Sequence, residues 1–342
     1  MSRGRRPVAP PSRTGDADPD PSQRAGIGER LERLLSRWTA ARRRLRSPKT
    51  DRALLLVAFA VFVVVSVVAY LHLRSAGLRF RWDAVLILLV VGTPAMVAVT
   101  TAEFMVLARC VGERFSVRES VRVSLLSSAA NLLPVPGAVL VRTRALRQRD
   151  TSYTDIGRAV GGVGLALVGV AGLFSGIVIF VANAVLGLAG IVVGGAAVLA
   201  ATTVLRWQAG RSGQTAPVAG VLVAETALVA VIAFRLWAAL AALGYAVRPA
   251  QVGVLTAASV AAAAAAVFPA GLGLREVLAG AFSPLISLPV AAGVFTGSVD
   301  RLTFFAGLVP ITLFLGARRL ARGRLPDGMR AGSDGLTRST GV

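Results

Sequence analysis

Apolar residues along this chain gather into runs of about 20, separated by basic and polar stretches. As a helix, a run of that length covers the roughly 30 Å of a bilayer's hydrocarbon. The pattern predicts full spans at 53–73 and 84–108. A weaker apolar segment follows at 121–141, interrupted by Pro134, Pro136 and Gly137, and then another span at 156–181. The same order returns in the second half. Residues 184–205 and 217–243 read as spans, 252–282 is apolar but broken around Pro269, Gly271 and Gly273, and 290–316 is a long span. Starts at 53, 84, 121 and 156 are thus answered by starts at 184, 217, 252 and 290, offsets of 131 to 134 residues.

Charge orders these segments across the membrane. The interrupted segment at 121–141 has basic flanks on both sides, from Arg109, Arg114, Arg118 and Arg122 before it to Arg142, Arg144, Arg147 and Arg149 after it. A crossing would put one basic flank outside, whereas a hairpin that enters and returns keeps both inside. The predicted fold is therefore all-α and polytopic, with two repeats of three spanning helices plus one re-entrant hairpin, at 51–183 and 184–317. Three crossings per repeat is odd, so the second repeat is inverted relative to the first, an arrangement known from secondary transporters. Eight plain transmembrane helices account for the same pattern. Either way both termini are expected on the cytoplasmic side of a bacterial inner membrane.

The flanking regions follow from composition. Residues 1–23, rich in Pro, Ser, Arg and Asp, read as a disordered tail. Within 24–50, Leu31, Leu34, Leu35, Trp38 and Leu45 recur at helical spacing among arginines, the pattern of a basic amphipathic helix on an anionic leaflet. Residues 318–342 read as a second disordered basic tail. The net charge of +21 comes from arginines in loops and tails beside apolar spans, which favours the positive-inside rule over nucleic-acid binding. One cysteine, Cys110, and one histidine, His72, leave no disulfide within the chain and no cysteine or histidine metal cluster. No cofactor is expected, and no cleavable signal peptide is visible before the first apolar run.

Candidate chemistry lies in the charges inside apolar segments: Glu103, Arg142, Glu225, Arg235, Arg275, Glu276, Asp300 and Arg301. Such groups face the protein interior or water and mark function or pairing. As structural pairs, Asp300 or Glu276 would neutralise Arg301 or Arg275, a role compatible with ligand contact, and Glu103, near a span end, could simply snorkel. Glu225 and Arg235 are too far apart on one helix to pair together, so each needs a partner elsewhere. The stretch F-P-A-G-L-G-L-R-E, Phe268 to Glu276, answers N-L-L-P-V-P-G-A-V-L-V-R, Asn131 to Arg142, so that Pro136 falls on Pro269 and Arg142 on Arg275. Two breaks facing each other would present Arg142, Arg275 and Arg301 to a lipid phosphate, which the guanidinium fork suits. Glu225, Glu276 and Asp300 would be counter-charges or coupling groups.

The second of these stretches, with D-R-L at Asp300–Leu302, resembles the lysylphosphatidylglycerol synthase/flippase transmembrane family, and the first resembles that family's earlier motif. The resemblance covers roughly residues 50 to 317. It implies a flippase-like membrane domain without the soluble synthase domain, about 25 residues following the last span. The expected function is translocation of an anionic phospholipid or a polyprenyl-phosphate-linked headgroup, alone or beside a separate synthase or glycosyltransferase. A polytopic polyprenyl-phosphate-dependent glycosyltransferase and a non-catalytic accessory of a lipid or glycan synthase are the alternatives.

Overall fold

The computed structural model describes residues 80–130, 137–147, 151–212, 217–265 and 273–320, with scattered positions between 60 and 77. The tail at 1–23, the amphipathic segment at 24–50, most of the first span, Pro134, Pro136, Pro269, Gly271 and 321–342 lie outside the described residues.

The described residues form helices and turns, with no strand among them. Helix α1 runs Trp82–Cys110. Val117–Ala130 is α2 and Gly137–Arg147 is α3. Tyr153–Phe180 is α4, Ala184–Ser212 is α5 and Val218–Ala242 is α6. Pro249–Ala265 is α7, Leu274–Phe282 is α8 and Val290–Leu320 is α9. Five stretches are long and apolar enough to cross a bilayer: Trp82–Cys110, Tyr153–Phe180, Ala184–Ala209, Val218–Ala242 and Val290–Thr312. This is the helix set of a multi-pass membrane protein. Both interrupted segments resolve into two short helices, α2 with α3 and α7 with α8. The last helix outruns its expected end, continuing through Leu320 across Arg318 and Arg319, where a disordered tail was expected from residue 318.

Local chemistry sets the helix ends. Ser152 caps α4, its Oγ accepting from the backbone N–H of Asp155 at 3.1 Å. After α1 the chain turns at Gly112 (φ 83°), and after α6 at Gly244 (φ 80°), a left-handed conformation that glycine adopts without a Cβ clash. The two exits share two backbone bonds, and the first adds a third, from Glu113 N–H to Ala108 O. Val111 N–H donates to Ala108 O and Gly112 N–H to Arg109 O; Leu243 N–H donates to Leu240 O and Gly244 N–H to Ala241 O.

Neighbour relations repeat as well. In the first half α1 packs on α2, α2 on α3 and α3 on α4; in the second α6 packs on α7, α7 on α8 and α8 on α9. The tightest pair is α4 with α5. Gly169, Gly172 and Gly176 face Gly187, Gly190 and Gly194, and a Cβ at Gly176 would sit 2.6 Å from the backbone nitrogen of Ile191. Lipid supplies little hydrophobic drive between helices, so small residues that let backbones approach supply the packing instead. A Cβ at Gly162 would likewise press on Leu205, whereas one at Gly161, Gly164 or Gly195 would meet nothing within 4 Å. The largest core cluster gathers Phe104 and Leu107 from α1, Leu146 from α3, Ile156 and Val163 from α4, Leu205 from α5 and Val221 from α6.

Candidate functional site

The intramembrane charges meet in two clusters beside one cavity. The cavity holds about 260 Å³ and is lined from eight of the nine described helices, α5 being the exception. Arg142, Arg235, Arg275 and Arg301 line it, with Asp300 as the lining carboxylate among the described residues.

The first cluster joins α1, α3 and α6. Arg142 donates from Nη1 to Glu103 Oε1 at 2.6 Å and from Nη2 to Glu103 Oε2 at 3.0 Å. This is the two-donor geometry that arginine offers a carboxylate. Glu103 does not snorkel: it is 8% exposed, and its alignment with Arg142 holds it inside. Glu225 is 1% exposed and lies within electrostatic reach of both Glu103 and Arg142, yet neither of its carboxyl oxygens has a hydrogen-bond partner among the described residues.

The second cluster centres on Asp300. Arg235 Nε meets Asp300 Oδ1 at 2.9 Å, and Arg275 Nη2 meets Asp300 Oδ2 at 2.7 Å. One carboxylate therefore serves two guanidiniums. Arg235 is further held by the Asp300 carbonyl at 2.6 Å and by Thr93 Oγ1 at 3.5 Å, and lies over the Phe304 ring. Arg275 Nε donates to Ser259 Oγ at 3.0 Å. Arg301 Nη1 approaches Glu276 Oε1 at 3.4 Å, while Glu276 Oε2 accepts from the Gly273 N–H at 3.0 Å and so holds the first turn of α8.

Exposure separates these arginines by role. The side chains of Arg142 and Arg275 are 17% and 18% exposed, those of Arg235 and Arg301 3% and 8%. All four reach the cavity wall, but the first two present the more open edge to it and the other two lie deeper among the helices. The open pair comes from α3 and α8, the helices that follow the two sequence breaks. Their positions are not equivalent: α3 begins at Gly137 and puts Arg142 in its second turn, whereas α8 begins at Leu274 and puts Arg275 in its first. No protein-family model and no curated protein matches this chain.

The predicted residues divide accordingly. Arg142, Arg275, Arg301 and Asp300 share the cavity wall, while Glu276 and Glu225 stand behind it. Asp300 does neutralise Arg275, and Glu276 pairs with Arg301. Two members of the site, Glu103 and Arg235, were visible as charges in apolar helices, but neither carried a mark of its partner. Among the described residues no group of three or more His, Cys, Asp or Glu side chains is arranged to hold a metal ion.

Proposed function

We propose that this protein is a lipid translocase, which draws an anionic phosphate-bearing headgroup into the arginine-lined cavity and passes it between leaflets. The observation that carries this reading is the convergence of Arg142 and Arg275, each with an open edge, on one cavity from two separate broken segments. An Asp300 carboxylate shared by two arginines leaves one positive charge over, which an anion balances. A volume of about 260 Å³ sits just below the roughly 300–1,000 Å³ of small-molecule pockets, so it suits a headgroup with its acyl chains left in the bilayer. Arg142, Arg275 and Arg301 would contact phosphate. The resemblance to the lysylphosphatidylglycerol synthase/flippase transmembrane family points the same way.

In this reading α1–α4, with the span at 53–73, and α5–α9 are inverted repeats, and α2–α3 and α7–α8 are re-entrant hairpins in a bacterial inner membrane with both termini cytoplasmic. The matched glycine exits at Gly112 and Gly244 and the repeated neighbour order support it. Single cysteines in a Cys110→Ser background, probed from each side of intact cells, test the topology. Positions beside Gly112 and Ser212 are expected to react from inside and Ser287 from outside; reaction of Ser287 only from inside excludes the inversion. Purified protein in vesicles with a leaflet-resolved lipid assay tests the function. Movement without a change of lipid mass is expected, a new lipid product would make the protein an enzyme, and neither would leave an accessory role.

A further inference from the structure

The first cluster holds an unused group. Glu225 on α6 is 1% exposed, and neither carboxyl oxygen is bonded among the described residues. Its neighbours in electrostatic reach are Glu103 from α1 and Arg142 from α3. The other elements packed on α6 bring no further charge to it. Helix α4 carries Asp155 and Arg158 in its first turns, α5 carries Arg206 and Arg211 in its last, and α7 carries none. Asp300 and Arg301 of α9 stand with Arg235, ten residues, roughly 15 Å, further along α6.

Two buried carboxyls against one guanidinium cannot both stay ionised without leaving an uncompensated charge away from water. The cluster is neutral with one proton on the pair, and Glu225 is the member whose oxygens have room for it, because both oxygens of Glu103 are engaged by Arg142.

We propose that Glu103 and Glu225 form a proton-carrying pair that lets Arg142 exchange its carboxylate for a phosphodiester anion, so that anion and proton enter together. This rests on the translocase reading given above. Arg142 lines the cavity and Glu103 stands behind it. When the Arg142 fork turns to an arriving anion, Glu103 becomes a buried carboxylate without a cation. A proton taken from water then binds a Glu103 oxygen, and the charge of the cluster is the same before and after. The second cluster needs no such step. If Arg275 turns to an anion, Asp300 keeps Arg235.

The test uses the purified full chain in detergent, titrated with dioctanoyl phosphatidylglycerol in two buffers of different ionisation enthalpy. A phosphodiester does not titrate near neutrality, so any proton counted belongs to the protein. The wild type is expected to take up about one proton per lipid, and its affinity to weaken about tenfold per pH unit as pH rises and the proton becomes scarcer. The double variant Glu103→Gln/Glu225→Gln is expected to bind with no uptake and no pH slope. A parallel titration with dimethyl phosphate separates sources: equal affinity would assign the site to a free phosphodiester and overturn the lipid. Lipid binding by the wild type with no proton uptake overturns the inference and leaves the translocase reading standing, whether or not the double variant folds. No lipid binding by the wild type overturns both. Uptake that persists in a folded double variant puts the proton elsewhere and overturns the pair.

Discussion

The two charge clusters are built from the same parts in opposite proportion. Around Arg142 two carboxyls, Glu103 and Glu225, attend one guanidinium. Around Asp300 two guanidiniums, Arg235 and Arg275, attend one carboxylate. Each cluster sends one partly open arginine into the shared cavity. The difference concerns what each can afford to release. A carboxylate with two cations tolerates the departure of one. When Arg142 turns away, the Glu103 left behind has no second cation to keep, and Glu225 beside it adds none, so that cluster has to take up a proton instead.

Breaking the second cluster at its centre should have the largest effect. Asp300→Asn leaves Arg235 and Arg275 facing each other without a counter-charge, at a cost of about 3–5 kcal/mol. Thermal unfolding in detergent, with the yield of membrane-inserted protein beside it, measures this. Arginine-to-lysine exchanges come next. Arg275→Lys and Arg142→Lys each keep the charge but lose the planar fork, and lipid movement per folded protein should fall roughly tenfold in both. Full movement by Arg275→Lys would confine that residue to structural pairing.

Glu103→Gln sharpens the contrast. Glu225 can give up its proton and take Arg142 as partner, so the loss should be about 1–2 kcal/mol, well short of Asp300→Asn. Equal costs in the two melting curves would rule out Glu225 as a reserve partner. The smallest effect is expected from Ser259→Ala, which removes the hydroxyl on Arg275 Nε, at about 0.5–1.5 kcal/mol. Its signature is a weaker dependence of transport on Arg275 with the Arg142 cluster unchanged.

Much of the frame was legible in residue order. Run length alone marks the spans, since the bilayer sets a minimum that soluble helices do not share. Pro134, Pro136 and Pro269, each clustered with glycine, fall in the gaps between α2 and α3 and between α7 and α8, whereas the lone Pro94 and Pro310 lie inside α1 and α9 without ending them. The Asp300–Arg275 and Glu276–Arg301 pairs were also within reach, as alternatives among neighbouring charges. Other contacts were closed to this reading. Arg142 with Glu103 and Arg235 with Asp300 join residues 39 and 65 positions apart. Periodicity reports which face of a helix is buried, but says nothing of which helix covers it. Pro136 and Pro269 align at one offset, as do Arg142 and Arg275, yet the helices beyond start at Gly137 and Leu274, and the two arginines fall in different turns.

Nothing in the hydropathy of α1 distinguishes Leu88–Gly92, which winds as a π-helix between two α-helical stretches. Its end brings Gly92 against Arg235, where a Cβ would come within 3.2 Å of Cγ, and Thr93 against the same side chain. A π turn holds one residue more than the α turn it replaces. In genetic terms it is an insertion accommodated without a loop, so α1 should accept a one-codon deletion within 88–92 that it would refuse elsewhere. The shortened helix would run as continuous α, keep both flanks in register and still enter the membrane. It would lose the seat of Arg235.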